Sequence, residues 1–145
     1  MRDNTWENTL IDVNSSIEKA INLLDKNGKR ILIATKDDKF LGTISDGDIR
    51  RGLISGFQLN SNIIDVINSD PIKVLPDSNH SLILELMNEN EVDQIPEVND
   101  KGICTGLFLK SLIIQKKLIS SNLVIMAGGE GRRLLPRTKE VPKPL

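Results

Sequence analysis

The sequence has no tyrosine, a single tryptophan (Trp6) and only three phenylalanines in 145 residues. That leaves few flat side chains on which unpaired bases could stack, so single-stranded nucleic acid is a poor partner for it. Cys104 is the only cysteine, which excludes an intramolecular disulfide; its apolar neighbour Ile103 marks it as a buried structural thiol, in keeping with a reducing compartment. One histidine, His80, with no second histidine or cysteine nearby, gives no metal-ligand spacing and is expected at a helix surface. Nor is charge of either sign in excess: 19 Lys and Arg face 20 Asp and Glu. No net field therefore draws the chain to nucleic acid or an anionic membrane, and an anionic ligand has to be held by a local site. No apolar run approaches bilayer length, and Met1 to Glu7 lack the apolar segment of a signal peptide. The expectation is a cytoplasmic protein with no membrane and no nucleic-acid partner.

What the chain does contain is a repeat. Ile11 matches Val74 and Ser15 matches Ser78 at an offset of 63, while Gly42 matches Gly106 and Leu32 matches Pro96 at 64, so one residue has been inserted between. In the first unit Ser15 and Glu18 form a possible capping box, predicting a helix over 16–26 with Ile17, Ala20, Ile21 and Leu24 as its apolar stripe and Asn27-Gly28 as its stop. Residues 30–34 read as a buried strand, Asp37-Asp38 as a turn, 40–44 as the antiparallel partner, and Asp46 as the cap of a second helix through Leu53. The second unit repeats this. Lys73 to Leu75 is a strand, Leu82, Ile83, Leu86 and Met87 form the helix stripe, and Asp93 to Val98 is a strand. Asn99 to Gly102 makes the hairpin turn, Cys104 to Leu109 the return strand, and Ser111 to Leu118 the closing helix. Each half has too small a core alone, so the two are expected to pack about a pseudo-twofold axis over one interior. The acidic residues Glu89, Glu91 and Asp93 lack the spacing of a calcium loop and read as solvated.

These two units resemble CBS motifs over roughly residues 9–118, and the stretch GTISDGDIRRGL from Gly42 to Leu53 is similar to the end of a nucleotide-binding one. The resemblance implies an α+β (α/β) fold of two βαββα repeats. It also implies an adenine nucleotide (AMP, ADP or ATP, sometimes S-adenosylmethionine) bound between the paired units, and association into homodimers.

The residues themselves suit such a ligand. Gly42 allows close approach to the strand, Ser45 offers a hydroxyl at the strand end, and Asp48 lies three residues on, at the start of a helix. Its carboxylate can accept from both ribose hydroxyls, while the Ser45 hydroxyl and the first N–H groups of the helix suit a phosphate. Asp46 lies in the same turn, and Arg50 or Arg51 could neutralise the phosphate. The plainer alternative is that Ser45 or Asp46 merely caps the helix and the arginines are solvated; the repeat and the full motif weigh against it. In the second repeat Leu109 and Leu112 stand where Ser45 and Asp48 stand in the first. Ribose hydroxyls left unpaired there would cost about 1–3 kcal/mol each, so one competent site is expected.

From Leu123 the character changes. A short apolar strand, Leu123 to Met126, leads into a glycine-rich loop with Gly128, Gly129, Gly131, Arg133, Pro136, Thr138, Pro142, Lys143 and Pro144. This is similar to the opening signature of sugar-1-phosphate nucleotidyltransferases, although Arg132 stands where that family usually has Thr and Arg137 where it usually has an apolar residue. Backbone N–H groups of such a loop can wrap a nucleoside triphosphate, with Arg133 and Lys143 holding phosphate charge. The aspartates that hold Mg²⁺ in that family, and its sugar pocket, are expected beyond Leu145, so this segment carries no complete catalytic set. The expected organisation is a first repeat over 1–60, a second over 61–119 and the start of a nucleotidyltransferase domain over 120–145. The expected function is regulation of nucleotide-sugar synthesis for surface polysaccharide. A truncated active transferase and a ligand-free dimerisation module are the rival readings. If the boundary is right, a chain ending at Ser121 keeps its adenine-nucleotide affinity by calorimetry and is no less stable; unfolding of the shortened chain would make the tail part of the module.

Overall fold

The computed structural model describes residues 3–119, with side chains to residue 115. After a 3-10 turn (Trp6–Thr9) come β1 (Leu10–Asp12), α1 (Ile17–Asn27), β2 (Ile31–Lys36), β3 (Lys39–Ser45) and α2 (Asp46–Ile54). A second 3-10 turn (Ile63–Asp65) leads to α3 (His80–Glu89), β4 (Gln94–Val98), β5 (Cys104–Leu109) and α4 (Lys110–Ile119). In the first unit β2 lies between parallel β1 and antiparallel β3. In the second, β4 and β5 form an antiparallel hairpin. The α+β character and the duplicated order agree with expectation.

Several local assignments shift, each for a physical reason. The helix α1 is capped by Ser16, whose side chain accepts from Lys19 N, and not by Ser15, whose backbone is occupied in bonds with Asp12 and Ile63. Asn79 caps α3, the match of Ser16 at an offset of 63, so the repeat is kept. Gly28 ends α1 in the left-handed region at φ 64, as glycine permits. On α1, Ile17, Ala20 and Leu24 are buried while Ile21 is exposed; Leu23 packs against the core in its place. Similarly, Leu82 is exposed and Ile83 and Met87 are buried on α3. Residues 73–75 contribute only an isolated parallel bridge, Val74 to Glu97. Pro71 and Pro76 flank it, and neither has an N–H to extend a ladder.

The hairpins show where the extra residue sits. Leu32 faces Ile44 in the first and Ile95 faces Phe108 in the second, so Leu32 corresponds to Ile95 and not to Pro96. The offset is thus 63 along β2 and β4 and 64 along β3 and β5, and the insertion falls in the second hairpin's turn. There Asn99 Oδ1 accepts from the N–H groups of Lys101 and Ile103. Both return strands bulge at the same place, Leu41 and Thr105 being the unpaired extra residues, which makes each strand switch faces at an equivalent point.

The core has three parts. Leu32, Ala34 and Ile44 join the α1 stripe in the first unit, and Ile83, Met87, Ile95 and Phe108 fill the second. Between them Ile31 and Ile33 of β2 meet Cys104 and Leu107 of β5, with Trp6, Phe40 and Leu109 at the margin. Alternation along β2 thus sends Leu32 and Ala34 inward and Ile31 and Ile33 to the seam. The hairpin tips add polar ties across it, Phe40 N to Gly102 O at 2.8 Å and Lys39 Nζ to Lys101 O at 2.6 Å. Burial, foremost, together with the Glu97 carboxylate nearby, pushes the Cys104 thiol up to about 11, consistent with a structural thiol.

The amino-terminal segment is also part of the seam. Asp3 N donates to Leu107 O at 3.0 Å, and Lys29 Nζ donates to Thr5 O at 2.6 Å and pairs with the Asp3 carboxylate. Burial acts to raise the Asp3 pKa, but hydrogen bonds from Lys29 and Thr5 outweigh it and hold the group below its ordinary value.

Gly42 has a packing role that its flanking motif hides. Residue 68 bridges back to Thr43, with N–H to O distances of 3.0 and 2.9 Å, and a Cβ at position 42 would lie 2.2 Å from Asn68 O. Gly42→Ala is therefore expected to lower stability by about 1–3 kcal/mol in urea denaturation; a loss too small to measure would show that residues 67–68 yield easily.

Candidate functional site

A cleft of about 540 Å³ opens between the two units. From the first come Arg30, Ile31, Thr43, Ser45, Asp48 and Arg51; from the connecting segment Asn68, Asp70, Pro71 and Ile72; from the second Glu91, Val92, Asp93, Gln94 and Pro96. The volume lies in the range of small-ligand pockets.

At its centre is the junction of β3 and α2. Ser45 is the N-cap of α2, accepting from Asp48 N at 3.3 Å, and Asp48 Oδ2 reaches back to Ser45 N at 2.8 Å and accepts from Ser45 Oγ at 2.6 Å. This closes a reciprocal capping box and satisfies two helix-start N–H groups. Asp48 Oδ1 in turn accepts from Arg51 Nη2 at 2.6 Å. The Asp48 side chain is 15% exposed and that of Arg51 73%, so the guanidinium can swing away at little cost, an exposed pair being worth less than about 1 kcal/mol. A hydroxyl, a carboxylate and a mobile cation thus converge on one side of the cleft, beside helix N–H groups that lack intrahelical partners.

Of the residues expected at a site, the structure brings Ser45, Asp48 and Arg51 together. Gly42 faces Asn68 instead of the cleft. Asp46 and Arg50 are exposed positions of α2 outside the cleft lining, and Asp46 does not cap, because Ser45 does. Gly128, Gly129, Gly131, Arg133 and Lys143 lie outside the described residues. The far wall went unread in the sequence. Glu91 and Asp93 looked like a solvated loop, yet they and Asp70 line the cleft, whereas Glu89 does not; only the polar run Asn68-Ser69-Asp70-Pro71 between the repeats hinted at a functional turn. His80 sits at the start of α3 with its ring edge against Phe108, centroids 5.9 Å apart. Among the described residues no group of three or more His, Cys, Asp or Glu is placed to hold a metal ion, and no helix is long and apolar enough to cross a membrane.

A second opening, also about 540 Å³, is lined by Gly28, Lys29, Arg30, Asp93, Gln94, Leu109, Lys110, Ser111 and Ile114. It is built on the β5–α4 junction as the first cleft is built on β3–α2, with Leu109 in the position of Ser45. Arg30, Asp93 and Gln94 line both openings.

Residues 7–55 match the family model described as the CBS domain. The fold is that of solved CBS-domain proteins. A CBS domain protein from Pyrobaculum aerophilum complexed with AMP is 19% identical with a TM-score of 0.65, over 83% of this chain and 100% of that one. CBSX2 in complex with AMP is 20% identical at 0.66, over 76% and 87%. The CBS domains of a transcriptional regulator from Streptococcus pneumoniae are 12% identical at 0.69, over 79% and 93%. No curated protein matches the sequence.

Because Asp48 belongs to the capping box, its removal is not neutral for the fold. Asp48→Ala is expected to lower stability by about 0.5–2 kcal/mol, the usual worth of a helix cap. Thermal melts of the two proteins without ligand check this, and identical melting temperatures would mean the box contributes nothing.

Proposed function

We propose that this chain is a regulatory module in which the first cleft binds an adenine nucleotide. The observation that carries the reading is the convergence of Ser45, Asp48 and Arg51 at the start of α2 on a cleft between two repeats. In this reading the Asp48 carboxylate exchanges its bonds from Ser45 and Arg51 for the ribose hydroxyls. The freed Arg51 guanidinium, the Ser45 hydroxyl and the first N–H groups of α2 then take a phosphate. The bound state thus uses donors already gathered at the helix start. Two of the similar structures hold AMP, which supports this ligand class. The second opening presents Leu109 at the hydroxyl position and has no carboxylate from α4 in its lining, which favours one adenine-nucleotide site per chain.

On the resemblance of residues 123–145, the partner activity is a cytoplasmic sugar-1-phosphate nucleotidyltransferase that makes activated sugars for surface polysaccharide, with Mg²⁺ needed only by that catalytic domain. Pyrophosphate release by the full gene product, with and without AMP, tests this coupling. Homodimerisation is the second reading. It is favoured by the exposed apolar side chains of Leu53, Ile54, Phe57, Leu59 and Ile64, with Ile54 80% exposed.

Calorimetric titration with AMP, ADP and ATP is expected to give one site per chain. Asp48→Ala, checked for retained helix content, is expected to weaken it by about 1.5–3 kcal/mol, tenfold or more, the worth of hydrogen bonds to a charged group. Unchanged affinity in a folded variant removes Asp48 from the site, and two equal sites per chain refute the asymmetry between the repeats.

A further inference from the structure

Resting on the adenine-nucleotide reading of the first cleft, we infer that this cleft accepts a nucleoside monophosphate and discriminates by charge against the di- and triphosphate. Its lining holds the carboxylates of Asp48, Asp70, Glu91 and Asp93 against two guanidinium groups, Arg30 and Arg51. Four negative groups against two positive leave the lining two charges negative, offset in part by Lys110 Nζ, which stands 3.9 Å from Asp93 Oδ1 outside the lining. One of the two cations, Arg51, is bonded to Asp48, so it serves a first phosphate only by exchange, and Arg30 alone remains for any further one.

The carboxylates are not scattered over one mobile segment. Asp70 comes from the connection between the repeats, and Glu91 and Asp93 from the turn before β4. Glu91 is held at φ 53 between bonds from Glu91 N to Asn88 O and from Val92 N to Met87 O, so the end of α3 fixes where that backbone stands. A phosphate seated at the start of α2 shares the cleft with these carboxylates, and each added phosphate brings about one more negative charge into it. At about 540 Å³ the cleft has room for a nucleotide of either length, so volume does not choose between them. Asp70, Glu91 and Asp93 are exposed, so their field is screened by salt and strongest at low ionic strength.

The experiment is titration of the whole chain with AMP, ADP and ATP at low salt without divalent ions, repeated with Mg²⁺. A parallel series uses the variant Asp70→Asn, Glu91→Gln, Asp93→Asn. AMP is expected to bind about tenfold more tightly than ATP, with ADP between, and Mg²⁺ to narrow the gap by neutralising the polyphosphate. In the variant the ratio is expected to fall at least about threefold, through tighter ATP binding. Should the triple variant fail to fold, Glu91→Gln alone, at an exposed position, is expected to move the ratio in the same direction. ATP binding as tightly as AMP, or a ratio unmoved in a folded variant, overturns the inference while leaving the adenine-nucleotide site in place. Absence of binding by all three nucleotides overturns the site itself.

Discussion

Neither repeat can cover both faces of its own hairpin, and the rest of the molecule follows from that constraint. The strand β2 is apolar on both sides: Leu32 and Ala34 serve the first core, and Ile31 and Ile33 would face water if the first unit stood alone. The opposing repeat answers with Cys104 and Leu107. Burying large aliphatic side chains is worth about 1.5–3 kcal/mol each, so the seam contributes several kcal/mol and makes the pair the folding unit. The polar ties at the hairpin tips add register more than energy, since Lys39 and Lys101 are exposed. Because the seam fixes one unit against the other, the β3–α2 junction of the first is held facing the turn before β4 of the second, and a cleft between them is unavoidable.

How much of this was legible in the sequence depended on whether the signal was local. The helices, hairpins and duplication showed in apolar spacing and turn residues because those patterns act within a dozen residues. Caps were misplaced by one position, Ser15 for Ser16 and Asp46 for Ser45, because Ser and Asp neighbours have similar intrinsic preference. What separates them is the backbone bonding of Ser15 to distant Ile63. Gly42 looked like a ligand-approach glycine since nothing in its own strand announces the bridge from Asn68. The acidic wall was invisible for the same reason: Asp70, Glu91 and Asp93 are far from Ser45 in sequence and reach its cleft only through the seam. Ser45, Asp48 and Arg51, by contrast, lie at successive three-residue steps within seven residues, and their convergence could be read directly.

The capping box gives the first cleft a dual character. Ser45 and Asp48 satisfy each other and the helix start. On the proposed reading the same groups serve a nucleotide, so a ligand would replace existing bonds rather than fill vacant ones, and its net gain would be the difference between two satisfied states. Net hydrogen-bond contributions near 1 kcal/mol are typical of such exchanges. On the proposed reading, that favours modest affinity.

The second repeat shows what happens when the exchange is abandoned. Leu109 cannot cap α4 as Ser45 caps α2, and instead it packs at the margin of the seam. The two openings nonetheless share Arg30, Asp93 and Gln94. Arg30 and Asp93 occupy equivalent positions, one residue before β2 and before β4, yet carry opposite charge. Opposite charge at this one pair of equivalent positions makes the walls of the two openings unlike. The asymmetry is thus carried by three positions, Leu109 and Leu112 against Ser45 and Asp48, and Asp93 against Arg30, on a scaffold whose strand pairing and bulges remain matched.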